Sequence, residues 1–138
     1  MKPTSLFVAL LLSGASMAQA APAPYLLLDH STETLMNEAA AQAMWKDRLT
    51  ARLLKVYPAA KWGFLTEVEG GFDEAKMCVV TARAMILPRS GKTLVFKPAK
   101  TATAFGAMAG ASMDQCRALA KTKLGEAADG VVSALLRR

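Results

Sequence analysis

Histidine is almost missing from this chain, which has His30 alone, and aromatic residues make up only 7% of it. His30 sits just before the first helix with Asp29 beside it, and one imidazole makes no convincing zinc site or Ser-His-Asp triad with what stands nearby, so it reads as surface or helix cap. Sparse aromatics remove the stacking platforms that nucleic-acid binders use, which argues against a nucleic-acid partner. No P-loop and no G-x-G-x-x-G occurs, so neither of these phosphate-cradling motifs points to nucleotide chemistry. After the opening segment no apolar run reaches the roughly 18 residues of a spanning helix, so an integral membrane protein is not expected. Cysteine is limited to Cys78 and Cys116, without a C-x-x-C.

What is present begins with an address. MKPTSLFVALLLSGASMAQA carries Lys2, an apolar stretch from Leu6 to Leu12 and a small-x-small ending at Ala18-Gln19-Ala20. That pattern is a secretory signal peptide, cleaved after Ala20. The mature chain is expected to be periplasmic or secreted, and the Ala-rich leader suits a bacterial envelope. Residues 21–31 read as an extended N-terminal segment and 32–138 as a single domain. In an oxidising compartment Cys78 and Cys116 are expected to pair, worth roughly 3–4 kcal/mol; a free reactive thiol is the lesser alternative. The net charge of +6 is spread along the chain. It reads as a solvated basic surface, or as affinity for an anionic envelope polymer, lipid head groups or an acidic protein.

Ala21-Pro22-Ala23-Pro24 reads as a spacer, and Tyr25 to Leu28 is apolar enough to dock on the body as a short strand. Hydrophobic spacing then predicts one amphipathic helix from Thr32 to Tyr57, with Asp29, Ser31 and Thr32 as caps and Pro58 as stop. Leu35, Met36, Leu49, Leu53 and Leu54 share its apolar side, while Arg48, Arg52 and Lys55 share the polar one. Trp62 to Glu69 alternates as a strand that Gly70-Gly71 breaks. Lys76 to Pro98 follows as a hairpin turning at Ser90-Gly91. That turn sets Leu87 opposite Leu94 and Met85 opposite Phe96, with Thr103 reaching Cys78 and Pro98 marking a bulge or an edge. Gly106 to Gly110 reads as a connection. Ser112-x-x-Gln115 is a capping box opening a helix from Met113 to Leu136. Its inward stripe is Cys116, Ala120, Leu124, Ala127, Val131, Ala134 and Leu135. The expected fold is α+β: a three-stranded antiparallel sheet with two amphipathic helices in the order α-β-β-β-α, and one disulfide.

The hairpin is apolar on both sides. Cys78, Val80, Ala82, Ala84 and Ile86 lie on the face that the disulfide places under the last helix. Met77, Val79, Met85 and Leu87 lie on the other, joined by Leu94 and Phe96. If the helices sandwich the sheet, this second stripe is core, and that arrangement is the expectation. If both helices share one side, the stripe is an exposed partner surface with Arg83, Arg89 and Lys92 as a basic rim. A sheet edge formed by Pro98 or by the Trp62 strand offers strand addition as a second binding mode. Glu67 and Glu69 stand about 6.6 Å apart on one strand side, near the spacing of inverting glycosidases. A solvated pair is the commoner meaning, so no catalytic residue, metal or cofactor is assigned. Ser112 follows Gly110 as in a G-x-S-x-G elbow, but Asp114 stands where the second Gly belongs.

The succession of helix, Trp62, Cys78 strand, Gly91 turn, strand and Cys116 helix resembles the layout of the C-terminal domain of the TolA and TonB envelope proteins. The likeness spans roughly Thr32 to Leu136. The chain departs from that layout in the Trp62–Glu69 strand and in lacking a Pro-containing strand after the last helix. The resemblance implies protein–protein contact in the periplasm. The expected function is thus an exported small binding protein, such as an envelope accessory factor or an inhibitor or immunity protein. The alternatives are a carrier of an anionic lipid or polymer, using the Met-containing face plus Arg48, Arg52 and Lys55, and a cell-wall hydrolase using Glu67 and Glu69.

Overall fold

The computed structural model describes residues 24–137; the expected leader Met1–Ala20 with its expected cleavage point, residues 21–23 and Arg138 lie outside that range. In chain order the elements are β1 Leu26–Asp29, α1 Glu38–Trp45, α2 Ala51–Val56, β2 Trp62–Phe72, β3 Met77–Ser90, β4 Thr93–Leu94, β5 Lys100–Ala109 and α3 Met113–Leu136. The strands form one curled sheet in the order β1-β2-β3-β5, with β4 on the far end of β3. Strand β1 is parallel to β2; the other pairings are antiparallel. The α+β class and the disulfide hold, while the expected three strands and two helices become five and three.

The extra helix comes from local capping. Asn37 accepts from the Ala40 amide to open α1, and Thr50 accepts from the Leu53 amide to open α2. Short polar side chains compete with the helix for its amides, so the single helix expected from Thr32 to Tyr57 stops and restarts. Asp29 and Ser31 are not its caps. The Asp29 carboxylate accepts from the Thr66 and Ser31 hydroxyls at 2.8 and 2.6 Å, and the Ser31 oxygen accepts from the Val68 amide at 2.9 Å. These bonds fasten the end of β1 to β2 instead.

Helix α3 has the bounds its sequence implies. Ser112 and Gln115 exchange side-chain to backbone bonds in a complete capping box. Cys116, Ala120, Leu124, Ala127, Val131 and Leu135 are buried as expected, whereas Ala134 is exposed. Cys78 and Cys116 are bonded, with Cα atoms 5.7 Å apart.

All three helices lie on one face of the sheet, which overturns the expected sandwich. Trp45 of α1 and Leu53 of α2 share a core with Phe64, Ile86 and Val131, and Trp45 stacks on Phe64 with centroids 4.5 Å apart. The cause is topological. A parallel β1-to-β2 connection is almost always right-handed, which commits α1 and α2 to one side, and the disulfide commits α3 to the same side. Arg48 then ties the α1–α2 connection to α3 within the helix layer, bonding Asp129 at 2.7 Å.

The hairpin register also differs from expectation. Arg89 faces Leu94 and Ser90 faces Thr93, but Ile86 next faces Lys100. Residues 95–99 bulge out opposite Leu87 and Pro88, with the Val95 amide donating to the Pro88 carbonyl and the Ala99 amide to that of Ile86. Pro98 sits in that bulge, where its missing N–H costs no ladder bond. Beyond it Thr103 faces Arg83, Met85 faces Thr101 and Met108 faces Cys78. The slip is an odd number of residues, so the two faces of the second arm exchange. Gly106 to Ala109, expected in a connection, belong to β5.

Candidate functional site

The helix-free face falls into two parts. Toward Trp62, the side chains of Leu65, Met85 and Leu87 are buried under Leu28 and Leu94. Gly63 makes this possible, because a Cβ there would stand 2.5 Å from Leu94 Cδ2. Met85 and Leu87, chosen from sequence as contact residues, are therefore a small second core, and Leu94 is its half-buried lid. Toward the other end of β3 the face is open: Met77 is half-buried and Val79 is 42% exposed. Phe96 is 75% exposed but sits on the bulge, about 25 Å of strand from Val79. The six apolar residues do not form one patch.

The basic rim divides as well. Arg83 pairs with Glu67 at 3.2 Å and Glu69 at 3.9 Å on the open face. Arg89 donates to the carbonyls of Gly91, Ala59 and Pro24, holding the turn to the body. Lys92 is exposed at that turn. Arg48, Arg52 and Lys55 lie on the helix side, so no single ligand meets them together with the open face. Arg48 is engaged by Asp129, while Arg52 and Lys55 line a groove of about 460 Å³ with Val56, Leu135 and Leu136. Among the described residues no cluster of His, Cys, Asp and Glu is suited to hold a metal ion. No described helix is long and apolar enough to cross a membrane.

Sequence reasoning missed Phe105, 71% exposed on the open face opposite Thr81. The signal was there: Thr101, Thr103 and Phe105 alternate with Ala102, Ala104 and Gly106, and the small set faces α3. Leu119 and Lys123 of α3 stand within about 3 Å of where a Gly106 Cβ would be. Val79 and Phe105 are diagonal neighbours on adjacent strands, close enough for a large side chain to span. Beside them Glu69, Gly71, Val79 and Thr81 line a shallow concavity of about 400 Å³.

Strand β5 is also a sheet edge, since its one partner in the sheet is β3. After Lys100 it holds no charged residue and no proline, and Thr101, Thr103 and Phe105 are exposed. Natural edges are normally shortened, charged or interrupted to prevent pairing. The edge expected from sequence lay at Pro98 or the Trp62 strand; Pro98 is in the bulge, and β2 is flanked by β3 along its length and by β1 over Gly63–Thr66.

No family of known proteins matches the chain, and no curated protein does. Among solved structures it is similar to a PelC dodecamer from Paraburkholderia phytofirmans, at 16% identity and TM-score 0.46 over 87% of this chain and 96% of that one. A second crystal form of PelC dodecamer from that organism matches at 15% identity and TM-score 0.41, over 83% and 88% of the two chains. A chain from Caulobacter crescentus CB15 described as a candidate lipoprotein matches at 12% identity and TM-score 0.36, over 78% and 86%.

Proposed function

We propose that this is an exported, envelope-associated binding protein that acts through protein–protein contact, as an accessory factor or as an inhibitor or immunity protein. The contact runs along β5: a partner segment adds as a further strand, and its side chains meet Val79 and Phe105 on the open face. The observation that carries this reading is the ten-residue edge of β5, unprotected by charge or proline beyond Lys100 and flanked by a 71% exposed phenylalanine. Main-chain bonds supply affinity in such an arrangement, and the alternate side chains supply selectivity. Glu67 and Glu69 serve here as counter-charges to Arg83, and the chain carries out no reaction.

The test places a photo-crosslinking residue at Thr101 on β5 and, separately, at Lys121 on the exposed side of α3. A protein caught from envelope preparations at Thr101 alone is identified, purified and titrated against wild type, Phe105→Lys and Thr103→Glu. Each variant is expected to weaken binding on the order of tenfold, since a charge is set into an apolar interface. Equal crosslinking at both positions, or unchanged affinity in both variants, refutes the reading.

A further inference from the structure

A surface of different chemistry lies on the flap formed by Arg89 to Lys100. Between Glu74 and Asp114 the chain has no carboxylate, yet it holds Lys76, Arg83, Arg89, Lys92, Lys97 and Lys100. Arg83 pairs with Glu67 and Glu69; among the described residues the other five make no ion pair. Lys61 joins the group, because the Arg89 amide donates to the Lys61 carbonyl at 2.7 Å. Along β2 the next carboxylate is Glu67, roughly 16 Å of strand from Trp62, beyond the ~8 Å screening length at physiological salt.

Two apolar side chains stand within this cationic group. Leu94 takes the inward position over Gly63, and the bulge then turns Val95 and Phe96 outward, 48% and 75% exposed. Nothing in the fold uses them. The three carbonyl bonds of the Arg89 guanidinium hold the flap in place, so its shape is set before any ligand arrives.

From this geometry we infer that the flap docks on an anionic phospholipid bilayer. Val95 and Phe96 enter the boundary between head groups and acyl chains, while Lys92 and Lys97 meet the phosphates. A protruding apolar tip flanked along the chain by Lys92 and Lys97 suits a surface that is anionic outside and fluid beneath. A soluble polyanion satisfies the lysines but leaves Phe96 in water. The inference rests on the flap alone and is independent of the β5 contact.

The test is co-sedimentation of the full chain with vesicles of phosphatidylcholine alone or mixed with phosphatidylglycerol. Binding is expected only to the mixed vesicles and is expected to fall with added salt. Replacing Lys92 or Lys97 with Gln weakens it roughly fivefold each, and Phe96→Ser on the order of tenfold. All three positions are exposed, so the variants should fold, which thermal melting verifies. Lys121→Gln, an equal loss of charge on the helix side, leaves binding unchanged. The inference is overturned by equal binding to both vesicle types, by a Lys121→Gln effect as large as that of Lys97→Gln, or by Phe96→Ser binding like wild type. Capture by soluble polyphosphate that competes fully and is indifferent to Phe96→Ser overturns it too.

Discussion

Gly70 and Gly71 form a matched pair that separates two kinds of backbone constraint. Both have positive φ, 136° and 149°, in a region that side-chain-bearing residues rarely enter. They differ in what an added Cβ would meet. At Gly71 there is nothing within 4 Å, whereas at Gly70 the Cβ would lie 2.0 Å from the Val79 carbonyl oxygen. The positive φ of Gly70 turns that position from the sheet face into the ladder itself. Gly71→Ala therefore meets conformational strain alone, about 1–3 kcal/mol. Gly70→Ala meets the same strain and must also push a β3 carbonyl about 1 Å or more to reach a contact that real Cβ atoms tolerate. Breaking one or two ladder bonds there adds about 1–2 kcal/mol, with misplaced neighbours beyond that.

Gly70→Ala is thus expected to be less stable than Gly71→Ala by about 2 kcal/mol, near 3–5 kcal/mol below wild type in total. Urea unfolding followed by far-UV circular dichroism reads the difference, provided the slopes of the three proteins agree. Two variants within about 0.5 kcal/mol of each other would show that the β2–β3 ladder yields at Gly70 without cost, and the steric reasoning would fail.

Two further outcomes follow from the core. The Cys78–Cys116 bridge spans 38 residues, and loop closure of that size is worth about 4 kcal/mol. A Cys78→Ala/Cys116→Ala variant should therefore lower the urea midpoint by the corresponding amount, and a loss below about 1 kcal/mol would contradict it. Burial pushes the Tyr25 phenol up from 10.0 to about 12, and its hydroxyl donates to the Tyr57 carbonyl. In the unfolded chain the group ionises near pH 10, so its stabilising share is complete below that pH and is lost as pH rises toward 12. Wild type should lose on the order of 1–2 kcal/mol more across pH 10–12 than Tyr25→Phe does, and parallel curves in denaturant melts would rule this out.

Features of short range were legible in the sequence. The capping box at Ser112 fixed the start of α3, and the alternation around Cys78 predicted which face of β3 the last helix covers. Cys116 fell on the inward stripe by period alone. The failures involve competition or distance. Asn37 and Thr50 look like ordinary polar positions on a helix face until their amide bonds are seen. Gly70-Gly71 reads as a breaker, yet β2 continues through it because glycine permits a twist that keeps the β3 pairing. The parallel placement of β1 depends on a partner more than thirty residues away, which no local pattern encodes. The bulge after Leu94 had the widest effect. It moved Phe105 to the open face and left Phe96 on the flap, so the candidate surface changed residues although β3, at its centre, was identified from the sequence.

The charge pattern carries a similar lesson about position. Counted along the chain, the basic residues are evenly spread, and the excess looks like a solvated surface. The carboxylates are what is unevenly placed. On the helix side they neutralise local cations, as in Arg48–Asp129, Arg117–Asp114 and Lys123–Glu126. On the sheet face Glu67 and Glu69 do the same for Arg83. The flap receives none, so a modest overall charge becomes a concentrated local one, and exposed pairs elsewhere add little to the long-range field. The same residues give the β5 edge its neutrality, because the lysines stop at Lys100, where the strand begins. One segment of chain thus presents a cationic, apolar-tipped flap at one end of β3 and an uncharged pairing edge along the rest. Two such different surfaces can be occupied at the same time, since the flap projects from the Pro88 end of β3 and β5 runs from there toward Met77.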